Sequence, residues 1–343
     1  MISVIVPVYN AEHTIQSAVE SIKGDDVEII LVDDASEDNS LSVCYDIASR
    51  DSRIKVLEKK ENTGCGNARN EGLRIASGEF VSFADADDLV IAGIHQSAIK
   101  AIGDADWVVW GIREIFPSAS GKTKDTIPLS SEIITLEKQM LFGYVWNKLY
   151  RRSIIMANNI RFTDTKLYDD YFFNIEYAKH SGRIITLKQI GYLYNKDDGN
   201  RMTNQFIPDY YHLAKQRIES MLNYYKQYCN VTSHDKEKNE LYETVTEVLG
   251  NRYLRYLLSS IARNVDPRAG LNKADRYRRI EEIYQDRLYS EVSAACKTDN
   301  AAYRILQILL NGHKTAITDL YGRTVYRIRM ASIQPDKREG MNQ

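Results

Sequence analysis

The chain has 343 residues, 43% of them hydrophobic and 27% charged, with a formal net charge of −2. That is enough apolar mass for one large or two modest domains, and the near-even charge balance leaves no nucleic-acid partner expected. Four cysteines, at positions 44, 65, 229 and 296, lack any C-x-x-C spacing, so neither a disulfide scaffold nor a zinc site is indicated and a reducing compartment fits.

In chain order, Ser3 to Val8 reads as a strand that stops at Pro7-Val-Tyr-Asn10, with Asn10 placed to cap the next helix. Ile15, Ala18, Val19 and Ile22 then form an amphipathic stripe. Glu28 to Val32 is a second strand, followed at once by Asp33 and Asp34. Leu41 to Arg50 is helical, Ile54 to Leu57 is a strand, and Asn62 to Asn67 is a polar loop with Gly64 and Gly66. Ala68 to Ala76 is helical and ends at Gly78. Phe80 to Phe83 is a buried strand that breaks into Asp85, Asp87 and Asp88. Gly93 to Ile102 is helical and Trp107 to Gly111 is a strand. Strands alternating with helices of about ten residues predict βαβ units and a mostly parallel sheet. The acid pairs Asp33-Asp34 and Asp85/Asp87 then fall at one sheet edge, where open α/β sheets bind ligands.

Clustered carboxylates repel one another unless something positive sits between them. A divalent cation carrying a phosphorylated ligand is one reading of Asp85, Asp87 and Asp88. A solvated turn with a helix N-cap is the other. Further on, Tyr144-Val-Trp-Asn-Lys-Leu-Tyr150 is aromatic with one buried-looking lysine. Asp169 and Asp170 open a helix that runs through Ala178, as caps or as a general base. A helix N-terminus lowers a carboxylate pKa modestly, which predicts an ionised acid there at neutral pH. Tyr192 to Met202 reads as a strand running into a loop with Lys196 and Arg201.

From residue 205 the pattern becomes helical, over Tyr210–Tyr228, Leu241–Arg263 and Lys273–Ala295, with a charged tail from Pro335. Residues 1–204 hold 23 Lys and Arg against 30 Asp and Glu; residues 205–343 hold 22 against 17. The division expected is an acidic catalytic domain, 1–204, and a basic helical domain, 205–343, for acceptor, membrane-surface or oligomer contacts. Residues 253–261 suit either a membrane interface or packing within that domain. No window approaches about 18 consecutive apolar residues, and the uncharged N-terminus reads as a strand, not a leader. A cytoplasmic location follows, with peripheral attachment to the inner face of the cell membrane.

Several motifs fail. Gly64-Cys-Gly-Asn-Ala-Arg69 starts like a dinucleotide fingerprint but has Arg69 at the third glycine. Phosphate-loop and G-x-S-x-G patterns are absent. A phosphoreceiver would leave the Asp85–Asp88 cluster unused.

Five segments together resemble the family 2 glycosyltransferases of the GT-A fold. They are Ser3 to Asn10; Val32 to Ser40; Asn62-Thr-Gly64 with Ala68-Arg-Asn70 and Gly72; Phe83 to Asp88, which matches a D-x-D signature; and Trp146-Asn-Lys-Leu-Tyr150. The resemblance covers residues 1 to about 200. It implies a GT-A nucleotide-sugar-binding domain followed by a C-terminal helical region. The implied activity is a metal-dependent inverting transfer from a nucleotide-sugar, UDP-linked in the first instance, to a hydroxyl. The acceptor would be a glycan, a lipid-linked saccharide or a protein. Asp34 would receive the base, with Pro7 and Tyr9 lining its pocket. Asp85 would lie near the ribose and metal, Asp87 would bind Mn²⁺ or Mg²⁺, and Arg69 would approach the diphosphate. Asn62, Gly64, Trp146, Lys148 and Arg201 would complete the donor site. Asp170, or Asp169 beside it, would be the base.

The sequence departs from the family at Asp169, where Glu is usual, at Ala35, where Gly is usual, and at Asn195, where Arg often follows the tyrosine. Lys196 is a substitute for that arginine. Two other classes compete. A sugar-phosphate nucleotidyltransferase would need a basic Gly-rich loop after the first strand, which Pro7 to Asn10 lacks. A non-catalytic nucleotide-sugar- or glycan-binding module would need no base. Self-association is left open.

Overall fold

The computed structural model describes residues 1–116, 122–165, 167–196, 206–230 and 235–333. The chain divides into two compact units, Met1–Gln205 and Phe206–Gln343. Unit one opens with β1 (Ile2–Val8), α1 (Ile15–Ser21), β2 (Val27–Asp33), α2 (Ser40–Arg50), β3 (Ile54–Glu58), α3 (Cys65–Ile75) and β4 (Phe80–Phe83). It continues with β5 (Leu89–Val90), α4 (Ile94–Ile102), β6 (Trp107–Phe116), β7 (Lys122–Thr126) and α5 (Ile133–Lys138). It closes with β8 (Lys148–Arg151), α6 (Arg152–Ala157), α7 (Asp169–Lys179) and β9 (Ile184–Asn195).

One sheet runs β3-β2-β1-β4-β8-β6-β9-β5, with β7 added to β6. The first four strands are parallel, and β1 and β2 are buried throughout because helices cover both faces. Beyond β4 the sheet is mixed. Strand β8 pairs antiparallel with β4 and β6, while β6 and β9 run parallel. Each fully buried Val, Leu or Ile in such strands contributes about 1.5–3 kcal/mol. Helix α3 lies so close to β1 that a Cβ at Gly72 would overlap the side chain of Ile5.

The order β2-β1-β4 brings Asp33-Asp34 and Asp85 to the same C-terminal edge, as expected from the sequence. Several boundaries differ. Asn10 does not cap α1, whose N-cap is Thr14; the Asn10 side chain instead accepts from the Glu37 backbone N–H at 2.8 Å. Helix α3 starts at Cys65, three residues early, because positive φ at Gly64 (90°) turns the chain directly into it. Strand β9 starts at Ile184, and the expected continuation from 197 to Met202 lies outside the described residues.

Unit two holds α8 (Tyr210–Cys229), α9 (Lys236–Arg263), α10 (Lys273–Tyr284), α11 (Arg287–Ser293), α12 (Ala301–Asn311) and α13 (Thr315–Ile333). The single helix expected over 273–295 is two. Asp286 breaks it by accepting from Leu288 N at 3.0 Å, and it also takes the hydroxyls of Tyr211 and Tyr253 and the ammonium of Lys215. The 253–261 stretch is an internal helix segment: Tyr253, Leu254, Leu257, Leu258 and Ile261 are all at most 3% exposed. That burial excludes the membrane-interface reading for this stretch.

Candidate active site

Asp34 stands just beyond β2 and is 2% exposed. Its Oδ1 accepts from Thr63 N at 3.1 Å and from the Lys59 ammonium, and its Oδ2 accepts from Gly64 N at 2.7 Å. Gly64 N also donates to Asn62 Oδ1 at 3.2 Å, so Asn62 shapes the turn that presents these N–H groups. Pro7 is buried in β1 opposite Val32, whereas Tyr9 is 44% exposed beside the exposed Asn10. The loops after β1 and β2 are laced together: Asn10 N donates to Ser36 Oγ, Ala11 N to Ser40 Oγ, and Glu12 N to Asp38 Oδ2. Ala35 holds the turn between them at φ 57°. That left-handed conformation strains a residue with a Cβ.

The segment that meets Asp34 at Gly64 meets a second group of acids one turn later. Arg69 is 3% exposed, and its guanidinium donates to Asp85 at 2.7 Å and to Asp170 at 2.8 Å. Asp169 lies 3.7 Å from the same Arg69 nitrogen that holds Asp170. The Phe162 ring supports the guanidinium from 5.3 Å. Two of the Arg69 guanidinium nitrogens are thus engaged by carboxylates, the contact that stands where the sequence expectation put a diphosphate. Arg69 is the positive charge between Asp85 and the Asp169-Asp170 pair. Asp85 is fixed further by its backbone N–H, which donates to the Tyr192 hydroxyl at 3.0 Å.

Asp169 and Asp170 occupy the first turn of α7, after Tyr168 at φ 68°; neither is the N-cap. Burial raises Asp170 to about 8, against the pull of Arg69, with Asp169 and Asp85 adding to the rise. Asp169 is also raised, again chiefly by burial. The helix N-terminus is therefore outweighed, and the sequence expectation of an acid ionised at neutral pH does not hold for Asp170. Close packing enforces the arrangement. A Cβ at Gly66 would sit 2.8 Å from Asp169 Oδ2 and 3.2 Å from Phe162 Cβ.

Asp87 is exposed and Asp88 is 3% exposed, its Oδ1 accepting from Asn195 N at 2.8 Å. These acids line a cleft of about 350 Å³ together with His13, Thr14, Leu193 and Asn195. That volume lies in the range of small-ligand sites. Among the described residues no three His, Cys, Asp or Glu side chains converge as a metal-ligand set.

Two residues expected in the donor site lie elsewhere. Lys148 is fully buried and donates to the carbonyl of Leu141 at 2.9 Å, to Asn147 Oδ1 at 2.7 Å and to the Tyr144 carbonyl. Burial pulls its ammonium well below the ordinary lysine range. Trp146 is 2% exposed, stacked between Tyr144 (4.3 Å) and Tyr192 (4.2 Å). Both serve the core behind the site, since neither offers surface to a ligand. Lys196 pairs with Glu114 at 2.5 Å. Arg201 lies outside the described residues. Lys59, Phe162 and Tyr192 enter the site without a motif; only the three-dimensional pairing reveals them.

Residues 3–157 match the family model of glycosyl transferase family 2. That matched stretch, within the first unit, is glycosyl transferase family 2 sequence on a GT-A fold. Among its relatives, EpsH of Bacillus subtilis (strain 168), named as a glycosyltransferase, is 35% identical over 188 residues, covering 50% of this chain and 54% of EpsH. The chain thus aligns with about half the length of that relative. The uncharacterized glycosyltransferase YibD of Escherichia coli (strain K12) is 24% identical over 332 residues, covering 89% and 90%. Among solved structures, Staphylococcus aureus TarS 1–349 in complex with UDP-GlcNAc superimposes with a TM-score of 0.68 at 20% identity, covering 95% of this chain and 91% of that one. The helical C-terminal region falls within that overlap, and the likeness is one of fold.

Proposed function

We propose that the chain transfers a sugar from a UDP-linked donor to a hydroxyl of a glycan, lipid-linked or polymer acceptor, inverting the anomeric carbon. The observation that carries this reading is the bridge in which the buried Arg69 joins Asp85, at the end of β4, to Asp170, at the start of α7. Two partly buried carboxylates from elements some 85 residues apart in sequence are held together at the ligand-binding edge of the sheet. The solved TarS complex contains UDP-GlcNAc, which supports the donor class.

On this reading the Asp34 turn and the exposed Tyr9 ring receive the base, and Asp85 lies toward the ribose and diphosphate. Asp170 accepts the proton of the acceptor hydroxyl as its oxygen attacks the anomeric carbon. The bond from that carbon to the diphosphate breaks in the same displacement, so the configuration inverts. Arg69 favours the ionised form of Asp170 and fixes its direction. The carboxylates near the cleft offer oxygen, with Asp87 exposed and one Asp85 oxygen held by Arg69. That suits Mg²⁺ or Mn²⁺, which is held by one or two carboxylates plus substrate phosphates and needs no complete protein cage. When bound, the ion would stabilise the charge developing on the diphosphate.

A thermal-shift panel of UDP-, GDP-, dTDP- and CMP-sugars, each with and without Mn²⁺, tests the donor reading through mass action on the native state. A Mn²⁺-dependent rise confined to the UDP class is the expected result. A rise confined to another nucleotide would replace UDP, and metal-independent rises would remove the cation from the mechanism.

A further inference from the structure

The α12–α13 hairpin carries an apolar face that points away from its own core. Both helices pack on α9, and a Cβ at Gly322 would press on Ile261; Leu306 and Leu310 of α12 and Thr318 and Gly322 of α13 are buried. The two helices are tied to each other by the Tyr321 hydroxyl, which donates to Ala302 O at 3.0 Å. On the opposite side of α12 stand Ile305 and Ile308, 45% and 65% exposed. On the opposite side of α13 stand Ile317, Leu320 and Ile328, 53%, 61% and 64% exposed. Their spacing within each helix, three to eight residues, keeps them on one stripe about half a turn from the buried positions. A monomer does not gain from exposing five branched aliphatic side chains on two adjacent helices.

Charge decides the occupant. From Asn300 to Ile333 the only acidic residue is Asp319, which is 3% exposed and paired with Arg276 and Arg323 of the same unit. Arg304, Lys314 and Arg327 are exposed beside the apolar row. A second copy docking on this face by two-fold symmetry would bring basic residues against basic residues, with Asp319 already paired inside each unit and no other acid in either hairpin to answer them. An anionic lipid surface meets both features at once: apolar side chains enter the headgroup–acyl boundary, and Lys and Arg stay among acidic headgroups. Among the described residues no helix is long and apolar enough to cross a membrane, so the contact is one of surface attachment.

We propose that the outward face of the α12–α13 hairpin docks the protein on an anionic membrane surface, with Ile308, Leu320 and Ile328 inserted and Arg304, Lys314 and Arg327 at the headgroups. The proposal uses none of the catalytic residues and stands or falls apart from the transfer reaction.

The test is co-sedimentation of the full chain with phosphatidylglycerol–phosphatidylcholine vesicles and with pure phosphatidylcholine vesicles, at low and high salt. The wild type should pellet with the anionic vesicles and stay largely in solution with the neutral ones. Ile308→Glu with Leu320→Glu should lower the bound fraction at least tenfold. Arg304→Ser with Arg327→Ser should lower it about tenfold at low salt, where headgroup attraction is least screened. All four positions are exposed, so melting temperatures should stay near the wild type; should the acidic pair fail to fold, the arginine pair decides the matter. A wild type that ignores anionic vesicles overturns the proposal, as does pelleting unchanged in both double variants. Loss of a wild-type dimer in light scattering of the acidic variant would give the face to a second copy instead.

Discussion

Asp170 concentrates the chemistry of this molecule at one atom group, and its environment sets how it works. Burial holds its carboxyl up at about 8, while Arg69 draws it down. A base must be unprotonated, so the rate should rise with pH and level off only above about pH 8. Replacing Arg69 with Met removes the opposing charge and should move that limb further up, with Lys148, Asp169, Asp85 and Cys65 left as the remaining charged or titratable neighbours. A kcat/KM profile from pH 5 to 10 for both proteins checks this; an acid limb below pH 6 in the wild type would contradict it. Ala35 offers an independent test at a single residue. Its φ of 57° strains a side chain that Gly would not have. Ala35→Gly should therefore hold or raise stability, by up to about 1 kcal/mol after the entropic cost of Gly, read as the midpoint of urea unfolding. The family resemblance makes Gly the usual residue at this position; only the backbone shows why.

At the scale of elements, much was legible. Alternation of apolar runs and amphipathic stretches placed β1 to β4 and the three helices between them, because each is either buried on both faces or buried on one stripe. The second half of unit one was less readable. Strand β8 is only four residues long and follows a segment of aromatic residues from which the resemblance drew Trp146 into the donor site. They are instead a stack, Tyr144, Trp146 and Tyr192, that locks β9 to the loop before β8. Lys148 looked buried from its aromatic neighbours, and only the family resemblance put it in the donor site; its stem and head are held by the carbonyl cage after α5. Lys148→Met should cost about 2–4 kcal/mol of stability by leaving those acceptors unpaired. It should leave the KM for donor nearly unchanged in the protein that folds. Denaturant titration and donor kinetics measure the two quantities separately, and a raised KM with wild-type stability would restore Lys148 to the donor site.

For the whole molecule, the charge asymmetry between the halves was a poor guide to detail. The acids of the first unit gather where parallel strands end, since that edge is fixed by strand order. The basic residues of the second unit are spread, and several are consumed by internal pairs such as Arg276 with Asp319 and Lys215 with Asp286. Which aliphatic residues were core and which were surface could not be told from periodicity alone. Residues 253–261 suited either an interface or the interior and are interior, whereas Ile308 and Leu320 carry no motif and are exposed. The missing information was the neighbour each helix packs on, and that is set by contacts distant in sequence.

The central claim is that the Arg69-bridged carboxylates perform sugar transfer. Its most direct test is turnover of a UDP-sugar by the wild type and by Asp170→Asn, alongside calorimetric binding of UDP to both. We expect a fall in turnover of about 10²–10⁴ with UDP affinity held within about twofold. An Asp170→Asn protein that turns over at the wild-type rate would contradict the claim.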